Sequence, residues 1–188
     1  MLGLTDISFN KVRGRRVLIV GEVGSGKTRL TRRLLTEALA GGRGNVSVID
    51  MAPKPLNVNG LLAGGALLQE PDPRVRYLAP KEVKAPRLSA RDAGELIEFA
   101  DQNRKEIEGL LEDFLREPTE DLFVNDVSIY LQRGDLERLW KAFSAAYTVV
   151  ANGYLGERLA HDFGSGLSER EANLMRRLAG RMDEVIRL

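Results

Sequence analysis

The spacing of apolar and polar positions along this chain sorts it into alternating strands and helices. Arg15–Gly21, RRVLIVG, is a short aliphatic run closed by glycine, the pattern of a strand buried on both faces. Lys27–Ala40 carries apolar residues at Leu30, Leu34, Leu35, Ala38 and Leu39, one face of a helix, and Gly41-Gly42 supplies the stop. Val46–Met51 is a second aliphatic run. The order strand, loop, helix, strand makes the two strands parallel, joined by a right-handed crossover.

Ala52–Pro86 breaks the pattern. It holds six of the seven prolines and a Gly-rich apolar piece at Gly60–Leu68, with a short strand expected at Val75–Leu78. A segment of this length and composition reads as a lid or binding loop, with a surface-packed insertion as the alternative. Ser89–Arg116 is the longest predicted helix, with Ser89 and Asp92 as its capping pair and an apolar stripe that thins at Asn103-Arg104. Asp121–Asp126 is predicted as a strand, Leu136–Ala146 as a helix and Thr148–Ala151 as a strand. A helix opens at a Ser168/Glu171 capping box and runs to about Met182, and Glu184–Leu188 is a final strand. This alternation places the chain in the α/β class, as three αβα layers around a mainly parallel central sheet. A single domain over residues 1–188 is expected, with a Pro/Gly-rich insertion at about 52–88.

Composition narrows the functions. With 43% hydrophobic and 29% charged residues the chain is not a disordered one. Its 28 basic and 27 acidic side chains give no global case for nucleic acid or a membrane surface. The absence of cysteine removes disulfides, thiolate metal sites and a cysteine nucleophile, and the single histidine, His161, removes a multi-histidine metal site. No apolar run reaches the roughly 18–20 residues of a membrane helix. The opening MLGLTDISFNKVRGRR has no apolar core behind a basic start, so a cytoplasmic protein without a membrane segment is expected.

The chemistry concentrates at Gly21–Thr28, GEVGSGKT, which fits the P-loop pattern G-x-x-x-x-G-K-[ST] between a strand and an amphipathic helix. Its glycines let the backbone approach oxygen atoms without a Cβ in the way. The amides then form an anion nest at the positive end of the helix. The expected cradle is Gly21, Glu22, Val23, Gly24, Ser25, Gly26, Lys27, Thr28 and Arg29, with Lys27 reaching the β- and γ-phosphates and Thr28 offering its hydroxyl to Mg²⁺. The acidic partner belongs at the end of a neighbouring strand, where Asp126 closes DLFVND, and it is assigned to the Mg²⁺ shell through water, with a plain cap as the alternative. Asp50, at the end of the second strand, is a candidate base for an acceptor hydroxyl or a magnesium partner acting at one remove, and equally a cap of the following turn. Lys27, Asp50 and Asp126 are thus the candidate catalytic residues. Asn152-Gly153 reaches the same rim as a nucleotide contact or, preferred, an ordinary turn. Arg133 and Arg158 are minor candidates for neutralising phosphate. His161 reads as a surface or packed residue, and Lys11, Arg13, Arg15 and Arg16 read as a solvated face.

With these residues the chain resembles P-loop NTPases over residues 15–51 and 121–126. It is also similar to the adenosylcobinamide kinase/guanylyltransferase family, through Asn125–Leu131 (NDVSIYL), Val149–Gly156 (VVANGYLG) and His161–Ala179. That resemblance implies RecA-like topology and a kinase-like site. The family is guanylylated on a histidine between its second strand and its Walker-B-like strand. No histidine lies between Asp50 and Asp126 here, so guanylyltransferase activity is not implied. The expectation is a Mg²⁺-dependent nucleoside-triphosphate-binding protein that hydrolyses ATP or transfers its phosphoryl group to an unidentified small-molecule or protein acceptor. The absence of an N-K-x-D motif leans to ATP, with GTP left open. The alternative is a nucleotide-gated interaction module, binding protein or nucleic acid, with slow hydrolysis. A homo-oligomer is compatible with either.

Overall fold

The computed structural model describes residues 7–58, 60–70 and 72–188. Residues 1–6, the first part of the segment read above for a leader, lie outside the described residues. The elements in chain order are α1 (Phe9–Val12), β1 (Arg16–Gly21), α2 (Lys27–Ala40), β2 (Val46–Asp50), β3 (Leu56–Val58), β4 (Leu61–Ala63) and β5 (Val75–Leu78). There follow α3 (Pro86–Ser89), α4 (Ala93–Arg116), β6 (Asp121–Asn125), α5 (Val127–Leu131), α6 (Leu136–Ala145), β7 (Thr148–Tyr154), α7 (Leu167–Ala179) and β8 (Glu184–Arg187). Among the described residues no helix is long and apolar enough to cross a membrane.

Six strands form one parallel sheet in the order β5-β2-β6-β7-β1-β8, and β3 and β4 pair as a separate antiparallel hairpin. Alternate residues of each strand feed opposite faces, as the pleat requires. Val17, Ile19, Val48, Phe123 and Val150 pack with Leu30, Leu34, Leu35 and Ala38 of α2 and with Phe9 and Val12 of α1. Leu18, Val20, Ile49, Leu122, Val124 and Val149 point the other way, onto Ile107, Leu111 and Phe114 of α4 and onto residues of α5, α6 and α7. The result is the three-layer α/β fold. One strand, β7, separates the strand that leads into the glycine loop from the strand that ends beside Asp126, a RecA-like order.

Because every sheet strand runs the same way, the C-terminal ends of β1, β2, β6 and β7 share one rim, where ligands of open parallel sheets sit. Registry sets the spacing along it: Asp50 lies opposite Asn125, and Ile19 opposite Asn152.

Several boundaries differ from the sequence reading. The long helix starts at Ala93, not Ser89. Its N-cap is Asp92, which accepts from the Glu95 amide at 2.9 Å, while Ser89 ends the separate helix α3. The thin point in its stripe is filled by tertiary contact: Asn103 is 1% exposed and exchanges hydrogen bonds with the backbone N–H and C=O of Lys84, at 2.9 and 3.0 Å. The Ser168/Glu171 capping box is absent. Helix α7 starts at Leu167 from Gly166, and its end is Ala179 rather than Met182. Strand β7 continues through Asn152-Gly153 to Tyr154, so that pair is not a turn.

Gly153 is where β7 passes closest to its neighbours. A Cβ there would stand 2.8 Å from Met175 Cε and 3.0 Å from Val127 Cγ2. Gly153→Ala is expected to destabilise the fold by about 1–3 kcal/mol through overpacking, read as a lowered midpoint in urea unfolding followed by circular dichroism.

Candidate functional site

The loop between β1 and α2 is shaped by its glycines. Gly24 and Gly26 take φ of 77° and 96°, left-handed values that a side chain resists, and Gly26 is the N-cap of α2. The amides of Gly24, Gly26, Lys27, Thr28 and Arg29 meet no acceptor among the described residues. They stand at the positive end of a 14-residue helix. Lys27 Nζ rests on the loop's own Glu22 carbonyl at 2.5 Å. Burial pulls the Lys27 ammonium below its ordinary pKa, with Asp126 and Glu22 opposing.

Opposite the loop, Asp126 follows β6 in the left-handed conformation, φ 61°, and opens α5. Its amide donates to Asn152 Oδ1 at 3.0 Å, and its carboxylate accepts from Ser128 Oγ. Burial pushes the Asp126 carboxyl above its ordinary range, against the pull of Ser128 and Lys27. A carboxylate in that setting favours a cation beside it.

Between loop and Asp126 lies a polar network in which no side-chain amide is idle. Asn125, fully buried, donates from Nδ2 to Asp50 Oδ1 (2.8 Å) and to the Gly65 carbonyl (3.0 Å). Its Oδ1 accepts from Asn152 Nδ2 at 3.0 Å and stands 3.5 Å from Thr28 Oγ1. Asn152 Nδ2 also reaches Thr31 Oγ1 of α2, at 2.9 Å.

A cleft of about 250 Å³ opens over these groups. The loop lines one wall, and Asn125, Asp126, Ser128 and Asn152 line the floor. The insertion supplies Ala52, Pro53, Ala63 and Gly64, while Arg87, Gln132 and Tyr154, the last in register with Gly21, complete the lining. The insertion is bonded to the rim at its root: Leu67 N–H donates to Asp50 Oδ2 at 2.6 Å, and Arg32 of α2 donates to the carbonyls of Leu67 and Ala66.

The structure thus brings Val23, Gly24, Gly26, Lys27, Thr28, Arg29 and Asp126 to one cleft. Other candidates lie elsewhere. The Asp50 carboxylate accepts from the amides of Ala52 and Leu67, from Asn125 and from Tyr77 Oη, and it does not line the cleft. The turn-capping contact is therefore made, and a base role would require those bonds to be given up. The link from Asp50 to Thr28 passes through Asn125. Glu22 turns away from the cleft, accepting the amides of Glu157 (2.6 Å) and Arg158 (3.4 Å). Burial works to raise its carboxyl, and those amides outweigh it and hold it below the ordinary range. Arg133 bonds Asp101 on α4 at 3.1 Å and is directed away from the cleft, Arg158 is exposed outside its lining, and Gly153 is packed beneath α5. His161 is exposed and edge-on to Phe163. Lys11, Arg13 and Arg15 are exposed, with Arg15 paired to Glu184.

Sequence reasoning missed the contribution of Arg87 and Gln132 to the cleft. Arg87, from α3, pairs with Glu171 of α7 at 3.0 Å, the two side chains 7% and 2% exposed. Gln132 Nε2 donates to the other Glu171 oxygen at 2.8 Å, leaving buried Gln132 Oε1 without a partner. The one available signal, the S-x-x-E spelling at Ser168–Glu171, points instead to a cap.

Burial pushes the Glu171 carboxyl up to about 7 from an ordinary 4.5, despite Arg87 and Gln132, with Asp126 adding to the rise. A carboxyl raised on folding contributes stability that is complete below the unfolded value and is lost as pH climbs through the folded one. Urea unfolding of wild type and Glu171→Gln between pH 4.5 and 8 checks this. The wild type is expected to lose stability relative to the variant from about pH 4.5 to 7, with a slope not above about 1.4 kcal/mol per pH unit, and to run parallel to it above.

No protein-family model and no curated protein matches the chain. Among solved structures it is similar to the flagellar accessory protein FlaH from Methanocaldococcus jannaschii, with a TM-score of 0.44 and 12% identity over 93% of this chain and 71% of that one.

Proposed function

We propose that the protein binds a nucleoside triphosphate, ATP in the first instance, with Mg²⁺, and hydrolyses it or passes its γ-phosphoryl group to an acceptor held in the same cleft. The observation that carries this reading is the set of unused amides of Gly24, Gly26, Lys27, Thr28 and Arg29, gathered with the Lys27 side chain at a helix start in the cleft that Asp126 also lines. The acceptor is a small molecule, a protein or water, and nucleotidyl transfer is not proposed, because no histidine lies between Asp50 and Asp126.

Each group has a definite task in such a reaction. The loop amides would bind phosphate oxygens at the start of α2. Lys27 exchanges the Glu22 carbonyl for phosphate oxygen, a stronger acceptor for an ammonium. Among the described residues no cluster of three or more His, Cys, Asp or Glu is placed to hold a metal, so a cation here depends on phosphate and water oxygens as well as protein. Thr28 Oγ1 would be its direct protein ligand and Asp126 its partner through water. Bound Mg²⁺ supplies neutralisation of the charge that develops on the transferring group. Asn125 and Asn152 hold Asp126 and Thr28 in register, so that reorganisation is completed before the substrate arrives.

The insertion favours transfer over a nucleotide-gated switch. Its residues Ala52, Pro53, Ala63 and Gly64 form a wall of the cleft rather than a detached apolar patch, and a wall of that kind shields a reacting phosphate from water.

Isothermal titration with ATP and Mg²⁺ tests the reading. Lys27→Ala is expected to keep its fold and lose affinity by about 10- to 100-fold. Asp126→Asn is expected to bind metal-free nucleotide as well as wild type while losing the magnesium-dependent gain and slowing turnover by orders of magnitude. Unchanged ATP affinity in Lys27→Ala excludes the assignment.

A further inference from the structure

The guanidinium of Arg87 is a buried cation in the lining of the cleft with few of its donors used. It is 93% withdrawn from solvent by its 7% exposure, yet Glu171 is its only charged or hydrogen-bonding partner among the described residues. Its plane lies over the Tyr154 ring, 5.1 Å from the centroid, which fixes its orientation without using a donor. A guanidinium carries five N–H donors in a rigid fork. The donors not given to Glu171 have no partner among the described residues, and Arg87 lines the same cleft as Lys27, Thr28 and Asp126. Its charge is felt at the Asp126 carboxyl.

Burying a guanidinium with unused donors is costly, and two direct contacts keep it there. Glu171 pairs with it from α7 and is itself held by Gln132 at the end of α5, and Tyr154 supports it from β7. Asn103 of α4 clamps the backbone of Lys84, three residues upstream, which fixes where α3 begins. Unused guanidinium donors and unused loop amides that line one cleft both call for an anion in it.

We propose that Arg87 recognises the terminal phosphate of a nucleoside triphosphate seated on the Gly21–Thr28 loop, with Glu171 and Gln132 as the residues that position it. This rests on the nucleotide reading above and extends it: the cation that distinguishes triphosphate from diphosphate comes from this same chain, and not from Arg133 or Arg158. A fork of donors at that place contacts the γ-phosphate and has nothing to hold in a diphosphate. Arg87 also stands at the C-terminal end of the Pro/Gly-rich insertion, so contact with the γ-phosphate registers nucleotide state directly on that segment.

The test compares binding of ADP with that of the non-hydrolysable triphosphate analogue AMP-PNP, both with Mg²⁺, by isothermal titration. Wild type is expected to prefer AMP-PNP. Arg87→Gln is expected to reduce that preference by about 10- to 100-fold while leaving ADP affinity within about twofold. Arg87→Lys keeps charge without the fork and is expected to fall between them. Since Arg87→Gln leaves Glu171 buried without its partner, the double variant Arg87→Gln/Glu171→Gln, which removes both charges, is measured beside it, with circular dichroism melts as the check of folding. Glu171→Gln alone, retaining Arg87 but loosening its hold, is expected to reduce the preference less than Arg87→Gln, again with ADP affinity kept. An unchanged preference in folded Arg87→Gln or in the double variant overturns the proposal, as does a parallel loss of ADP and AMP-PNP affinity, which marks a merely structural arginine. Failure of wild type to bind either nucleotide, or full AMP-PNP binding by Lys27→Ala, overturns the nucleotide reading itself and is distinct from both.

Discussion

The Asn125 carboxamide is the point through which the rim of the sheet is held together. It sits at the end of β6, fully buried, and joins Asp50 of β2, Asn152 of β7, Thr28 of α2 and the Gly65 carbonyl of the insertion. Parallel sheets leave the backbone groups at their C-terminal rim facing loops of unrelated origin, and those loops need a common reference. An amide with two donors and an acceptor can bond several elements at once without carrying charge into the core. Apolar substitution at such a place leaves several groups unpaired together.

The opposed charges of the cleft depend on that frame. Lys27 and Asp126 are each held away from their ordinary ionisation by burial, and each moderates the other. Arg87 and Glu171 form a second ion pair, more deeply buried, and burial raises the Glu171 carboxyl. Lys27 and Arg87 thus bring positive charge to the lining of one cleft, each with a carboxylate near it.

What could be read from the sequence followed the range of the interactions involved. Strands β1, β2 and β5 and helix α2 were legible because burial on one or both faces imprints a local period, and Gly41-Gly42 marks a stop. The glycine loop was legible because close backbone approach demands residues without a Cβ at fixed spacing. The hairpin strands β3 and β4, three residues each, are too short to display a period, and α5 is buried all round and so has no polar face to mark one. The larger misreadings were made by distant partners. Glu171 spells a capping box with Ser168, but Arg87 from another part of the chain claims its carboxylate. Asn103 interrupts an apolar stripe because it is a socket for the backbone at Lys84, a contact with no local trace. Asp50 was legible as a rim residue, while its commitment to Leu67 and Tyr77 depends on the path of the insertion.

The way that insertion is fastened has a consequence for how the protein can diversify. Gly65, Ala66 and Leu67 are tied to Asn125, Arg32 and Asp50 through main-chain carbonyls and an amide. Lys84, at the other root, is tied to Asn103 in the same manner. Bonds to the main chain are indifferent to the side chains they hold. The hairpin of β3 and β4 can therefore change its residues, and with them the shape of the wall it presents, while the sheet, the glycine loop and the anchoring side chains stay as they are. On the reading proposed above, acceptor preference and phosphate handling would be separately heritable parts of the fold.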